Sequence, residues 1–199
     1  MNREHAVRQT RDDRVERGGS DPGVGRLGLS DAGREEAAAV ADALVERHAV
    51  DAVVASDLAR TVATAEPIAA AAGVELETDP QLRERDFGVF QGLSSGSFFE
   101  RFPAFDLLEN GRAAAEREPE SGESWLSVRD RVLDAVADLR AREGTVVAVT
   151  HVNPIRLVVG ERRDLSVVRS LTELSADNCS VTEIDDAGAL VGTNDRSYK

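Results

Sequence analysis

The sequence holds a single cysteine, Cys179, in 199 residues. One thiol excludes an internal disulfide framework and cannot build a cysteine-based zinc site. Lysine is equally scarce: Lys199 stands alone, and the remaining basic charge is arginine. No apolar run approaches the roughly 20 residues that a membrane-spanning helix needs. The opening MNREHAVRQT has no apolar centre of the kind a secretory signal carries, so a cytoplasmic location is expected. There is neither an internal repeat nor a low-complexity linker, so residues 1–199 are expected to form one domain with one core.

Basic charge as a whole is also short, with 24 Lys and Arg against 37 Asp and Glu, a net charge of -13. Such a surface repels a phosphate backbone and argues against a nucleic-acid partner. Two origins fit the acidity. Dense carboxylates keep a halophile's proteins hydrated where salt screens their repulsion, and an acidic mesophilic protein from a GC-rich genome would show the same arginine bias.

What is present is an alternation of helices and strands. SDAGREEAAAVADALVERH has a capping serine, Ser30, early acidic residues, and an apolar stripe of Ala37, Val40, Ala41, Leu44 and Val45. DAVVAS fits a strand buried on both faces. DLARTVATAEPIAAAAG reads as a helix stopped by Gly73, with a kink or break expected near Pro67. VELETD is a short strand, and LRERDFGVFQGL a glycine-punctuated loop. From Ser94 to Ser124 the chain is irregular and polar, with one helix expected around SFFERFPAFDLLE. SWLSVRDRVLDAVADLRARE is a long amphipathic helix, TVVAVTH the clearest strand, and NPIRLVVG the start of another helix. The tail NCSVTEIDDAGALVGTND forms two strands around a turn at Asp185 to Gly188. This order predicts a three-layer α/β/α sandwich with a mainly parallel sheet. Ligands in such sheets sit beyond the carboxyl ends of the strands.

Three polar motifs fall at such ends. In ASDLART, Arg60 lies in the first turn of a helix, where its planar fork can grip two oxygens of a phosphate. It could equally be a solvent-facing helix arginine. In LRERDFG, Glu84 can protonate a departing alkoxide, or simply pair with Arg83 or Arg85 on the surface. In VVAVTHVNPIR, His151 can hydrogen-bond a phosphoryl oxygen, or serve as a partly buried structural histidine. The other histidines are His48, at a helix end where its charge suits the helix dipole, and His5.

LSDAG, SDLART, LRERDFG, SGES and VTHVNPIR, in this order, resemble the histidine phosphatase superfamily, the phosphoglycerate-mutase-like enzymes, from about Val7 to Asp195. The resemblance implies a phosphatase acting on a small phosphorylated metabolite, with no cofactor and no metal. Side chains then supply the charge neutralisation and alignment that phosphoryl transfer requires. It implies that Arg8 and Arg60 hold the phosphate, that Glu84 donates the proton, and that His151 completes the pocket. It further implies that the loop SGES shapes the entrance, although Ser124 also suits a helix cap.

In that family the first strand ends in Arg-His-Gly, whose histidine takes the phosphoryl group. Here Arg8 is followed by Gln9 and Thr10. Either Gln9 replaces the histidine, or the His-Gly pair is absent and VR joins QT directly. In both alignments no nucleophile remains, because a glutamine amide is neutral and non-basic. His5 is a poor substitute, since on a strand it would sit roughly 10 Å behind the strand's end and on its other face. The alternative to a phosphatase is therefore an inactive relative that binds phosphorylated ligands or a partner protein.

Overall fold

The computed structural model describes residues 4–8, 28–93 and 95–198, with side chains from 28 to 93 and from 98 to 198. Six strands form one sheet: β1 (Glu4–Arg8), β2 (Val50–Ala55), β3 (Leu76–Thr78), β4 (Thr145–Thr150), β5 (Val181–Ile184) and β6 (Leu190–Asp195). Their order is β3-β2-β4-β1-β5-β6. The first four strands run parallel, whereas β5 pairs antiparallel with both β1 and β6. Around the sheet lie α1 (Asp31–Arg47), α2 (Ala59–Ala72), α3 (Ser95–Arg101), α4 (Leu107–Glu116), α5 (Trp125–Arg140), α6 (Val152–Arg162) and α7 (Val167–Glu173).

Side-chain alternation along the central strands separates the two faces. Val53, Ala55, Val147 and Val149 pack against Val40 and Leu44 of α1 and Ala65 and Ile68 of α2. Val54, Val146 and Ala148 meet Ala135 and Leu139 of α5 on the opposite face. Trp125, Val128 and Val132 of α5 continue that layer against Leu157 of α6 and Val167 and Leu171 of α7. This is the three-layer α/β/α sandwich. All six residues of β4 are buried, as a central parallel strand covered on both faces requires.

The local signals act as expected at several boundaries. The Ser30 hydroxyl accepts from the Gly33 amide at the start of α1, and Ser124 caps α5 by accepting from Ser127. Gly73 closes α2 in the left-handed region at φ 71. The Asp185 amide donates to Ala189, and the Gly188 amide to Asp185, closing the β5–β6 turn.

Three expectations change. α2 runs without a break through Pro67, because Thr64, Ala65, Ile68 and Ala69 around it are buried against the sheet and α1. One lost backbone bond is cheaper than exposing that face. From Ser95 to Ser124 the chain holds more regular structure than its polarity suggests. It folds as α3, a 3-10 turn at Pro103–Phe105, and α4, with Gly111 at φ 51 inside α4. The six phenylalanines of the chain all lie between Phe87 and Phe105. Their rings gather around Phe98, which is buried, and Phe87 meets Trp125 edge-on. Finally, His48 is not a bare helix-end charge, since its Nε2 lies 2.9 Å from the Tyr198 hydroxyl.

Candidate active site

The C-terminal ends of four adjacent strands set the floor of the site. Arg8 ends β1 directly opposite Thr150, the last residue of β4. His5 pairs with Val147, well back along the same strand. The Arg8 side chain and Gln9 lie outside the described residues. β2 leads into Ser56 and Asp57, β3 into the loop with Glu84, and β4 into His151.

His151 caps α6, its carbonyl accepting from the Ile155 amide at 3.2 Å. Only 3% of it is exposed, so its ring nitrogens need partners inside the protein. Nδ1 lies 3.1 Å from Arg60 Nη2, and Nε2 lies 3.0 Å from Ser56 Oγ. A guanidinium can only donate, so Nδ1 is the acceptor. In the neutral ring the proton then sits on Nε2 and is donated to Ser56. Ser56 is itself fully buried, and its carbonyl accepts from Thr61 Oγ1 at 2.9 Å, which ties the strand end to the first turn of α2.

Arg60 enters from that turn and is half-buried rather than solvent-facing. Burial lowers its pKa below the ordinary guanidinium value, and the Glu84 carboxylate partly offsets the effect. Asp57, its near neighbour in sequence, is committed elsewhere. Arg83 Nε donates to Asp57 Oδ1 at 2.6 Å and Arg83 Nη2 donates to Oδ2. This fork holds the Asp57 carboxyl below its usual range against a smaller opposing effect of burial.

Glu84 does not pair with the guanidinium of Arg83 or Arg85. Its Oε1 accepts from the Arg85 amide at 2.9 Å and from Asn153 Nδ2 at 3.2 Å, and its Oε2 accepts from the Asn153 amide at 3.4 Å. Asn153 lies in the first turn of α6, just after His151, so one helix N-terminus carries both the histidine and the anchor of the carboxylate. The first turn of a helix has amides without intrahelical acceptors, and Glu84 accepts from one of them. Arg156, on the next turn, donates from Nη1 to Asn153 Oδ1 at 3.4 Å; burial lowers its pKa and the Glu84 charge counteracts this.

Two arginines outside the expected phosphate site build the surroundings. Arg85 is 3% exposed and lies against the rings of Trp125 and Phe87, at 4.5 and 5.0 Å from their centroids. Its Nε donates to the Glu123 carbonyl at 2.8 Å. Burial pushes it down to about 10, opposed by the charges of Glu123 and Glu84. Arg131 of α5 forms an ion pair with Glu123 at 2.7 Å. The loop SGES therefore contributes a cap, Ser124, and a structural carboxylate, Glu123. A cavity of ≈ 340 Å³ opens beside Glu84, bordered by Arg83, Asp86, Ser121, Glu123 and Arg131.

The arrangement places a cation, an imidazole and a carboxyl group at one edge of the sheet, as handling a phosphate ester requires. The sequence pattern of the histidine phosphatase superfamily (branch 1) matches residues 5–191. The chain belongs to that superfamily. It is 32% identical over 153 residues to the glucosyl-3-phosphoglycerate phosphatase of Mycolicibacterium vanbaalenii, covering 77% of this chain and 67% of that protein. It is 35% identical over 144 residues to a bifunctional protein of Mycobacterium tuberculosis, covering 69% of this chain but only 38% of the length of that relative. Among solved structures, the mycobacterial glucosyl-3-phosphoglycerate phosphatase in complex with VO3 superposes with a TM-score of 0.78 at 26% identity, covering 97% of this chain and 99% of that one. Among the described residues, no helix is long and apolar enough to cross a membrane.

Proposed function

We propose that this superfamily member carries a phosphatase-type site for the monoester of a small phosphorylated metabolite. The observation that carries this reading is the meeting of Arg60, His151 and Glu84 at one edge of the sheet. His151 is tied to Arg60 and Ser56, and Glu84 to the first turn of the helix that His151 caps. Arg60, with Arg8 at the end of β1, neutralises the phosphoryl oxygens. His151 lies beside them, and Glu84 protonates the departing alkoxide. The phosphatase relatives support the same substrate class. The net charge of -13 opposes a polyanionic partner and leaves recognition to these few local cations.

A second reading, a site that binds the phosphorylated ligand without turning it over, is favoured by VRQT. There Gln9 follows Arg8 with no histidine to take the phosphoryl group. Calorimetry with inorganic phosphate, and hydrolysis of an aryl phosphate with and without His-Gly inserted after Arg8, separate the two. We expect phosphate binding by the chain as it stands, weakened about tenfold or more by Arg60→Ala, a loss typical of one charge-assisted hydrogen bond. We expect turnover to rise about a hundredfold or more on insertion, the scale of restored nucleophilic catalysis. Absence of binding would end both readings. An inserted form without turnover would end the phosphatase reading. Turnover by the unmodified chain that disappears in His151→Ala would end the binding-only reading.

A further inference from the structure

Glu84 is held at its carboxylate end by α6, but its backbone is held from the other side, by α5. Arg131 Nη1 donates to the Gln81 carbonyl at 2.6 Å and to the Arg83 carbonyl at 2.8 Å, and Nη2 donates to the Glu84 carbonyl at 3.1 Å. The remaining donors grip Glu123: Nε meets Oε1 at 2.7 Å and Nη2 meets Oε2 at 2.9 Å. These five bonds equal the five N–H groups that a guanidinium possesses. Three accepting carbonyls belong to a loop that has no sheet ladder, so Arg131 supplies what a neighbouring strand would otherwise provide.

Glu123 extends the same brace. Its Oε2 accepts from the Asp86 amide at 3.0 Å, and its own amide donates to the Asp86 carbonyl at 3.0 Å. The loop carrying Glu84 is thus fixed on both flanks, at Gln81, Arg83 and Glu84 by Arg131 and at Asp86 by Glu123. Only the carboxylate arm of Glu84 extends from this frame towards Asn153 on α6.

We infer that Arg131 is a positioning residue that fixes the distance between the Glu84 carboxyl and the α6 N-terminus carrying His151. The inference rests on the phosphatase reading in assigning Glu84 the proton. A misplacement of about 1 Å at a reacting group can cost on the order of a hundredfold in rate, so a rigid brace behind a proton donor matters. Lysine at this position would keep the charge but cannot reach three carbonyls and a carboxylate at once.

Amide exchange followed by NMR on the full chain tests the placement. Asn153 lies in the first turn of α6, where a backbone N–H has no intrahelical acceptor, so its protection reports whether Glu84 stays against the helix. Arg131→Gln is expected to speed exchange of the Arg85, Asp86 and Asn153 amides about tenfold or more, while Val147 to Thr150 of β4 stay unchanged. Should Arg131→Gln fail to fold, Arg131→Lys carries the same comparison. Glu123→Gln, which keeps the three carbonyl bonds, is expected to speed Asp86 and spare Asn153. Wild-type exchange at Asn153 in the Arg131 variant overturns the inference. So does acceleration spread through β4, because Arg131 would then hold the whole fold and not Glu84.

Turnover supplies the second readout, in whichever form of the chain hydrolyses esters. Glycerol 2-phosphate has a poor leaving group that needs a proton, and Arg131→Gln should lower kcat for it roughly a hundredfold, the scale of general-acid catalysis. 4-Nitrophenyl phosphate has a good leaving group, and its kcat should fall less than about threefold by the same reasoning. Equal losses on both esters overturn the positioning role. If no form hydrolyses either ester, the phosphatase reading falls, while the exchange comparison still decides where Arg131 holds Glu84.

Discussion

Gly160 sits inside α6, and replacing it with alanine pits two opposed effects against each other. Helix propensity favours alanine by about 1 kcal/mol. A Cβ at this position, however, would lie 1.8 Å from Ser170 Oγ and 2.5 Å from Ser170 Cβ on α7. Neither atom is at the end of a flexible chain. Ser170 is 2% exposed and its hydroxyl donates to the Ser166 carbonyl at 2.9 Å. Forcing extra volume into such a contact costs about 1–3 kcal/mol, and contacts this short belong at the upper end. Gly160→Ala should therefore destabilise the chain by roughly 1–2 kcal/mol net, read from urea melts at constant m-value. The partner residue decides the interpretation. Ser170→Ala removes Oγ but leaves Cβ at 2.5 Å, so it should relieve the clash only in part. Ser170→Gly leaves the Cα at 3.4 Å, an ordinary contact. In that background Gly160→Ala should become stabilising by up to about 1 kcal/mol, since propensity alone remains. The sign must invert between the two backgrounds. If Gly160→Ala stabilises the wild-type chain, or destabilises both backgrounds alike, α6 and α7 do not approach each other closely at Gly160 and Ser170.

Two further outcomes concern the electrostatics of the site. Burial alone would raise the Glu123 carboxyl, but the Arg131 fork, the Asp86 amide and the nearby guanidinium charges outweigh it, leaving the pKa below the ordinary 4.5. A depressed folded-state pKa contributes stability that is complete above the unfolded value and is lost as pH falls through the folded one. Urea melts followed by fluorescence of Trp125, the one tryptophan in the chain, should show an acid loss below about pH 4.5 that is smaller in Glu123→Gln; identical acid profiles would refute the assignment. Arg83→Ala should cost under about 1 kcal/mol of stability, as exposed ion pairs do. It should nevertheless weaken phosphate binding about threefold to tenfold, because removing the Arg83 cation leaves the charge of the Asp57 carboxylate, three residues before Arg60, uncompensated. Asp57→Asn should restore binding in that variant, and calorimetry showing no change in either would remove Asp57 from the electrostatics of the site.

The architecture was legible where local chemistry and tertiary need agree. Ser30 and Ser124 cap helices because their hydroxyls reach the third amide beyond them. The apolar run before His151 is a buried strand because nothing else would cover it. β1 was less legible: in EHAVR only Ala6 and Val7 are plainly apolar, yet it lies in the sheet with a strand on each side. Its place is fixed by the ladders of β4 and β5, which its own side chains do not announce. α7 went unseen in its sequence for a related reason, since its buried face, Val167, Ser170 and Leu171, is too short to show a period.

The residues that hold the site were hidden more deeply than the residues that form it. Arg60, Glu84 and His151 each follow a strand end, a position a sequence can mark. Arg131 lies in an amphipathic helix whose polar face invites a solvent-exposed reading, and its acceptors are backbone carbonyls of the loop around Glu84, which no residue type encodes. Arg85 looks like a partner for Glu84 because it is the next residue. Its side chain instead runs between Trp125 and Phe87, and only its amide reaches the carboxylate. Adjacent residues in an extended loop point apart, so neighbours in sequence make unreliable ion pairs. The same geometry gives the site its asymmetry. Arg83 and Arg85 turn away to Asp57 and to the aromatic layer, which leaves Glu84 facing α6, beside the helix N-terminus that carries His151.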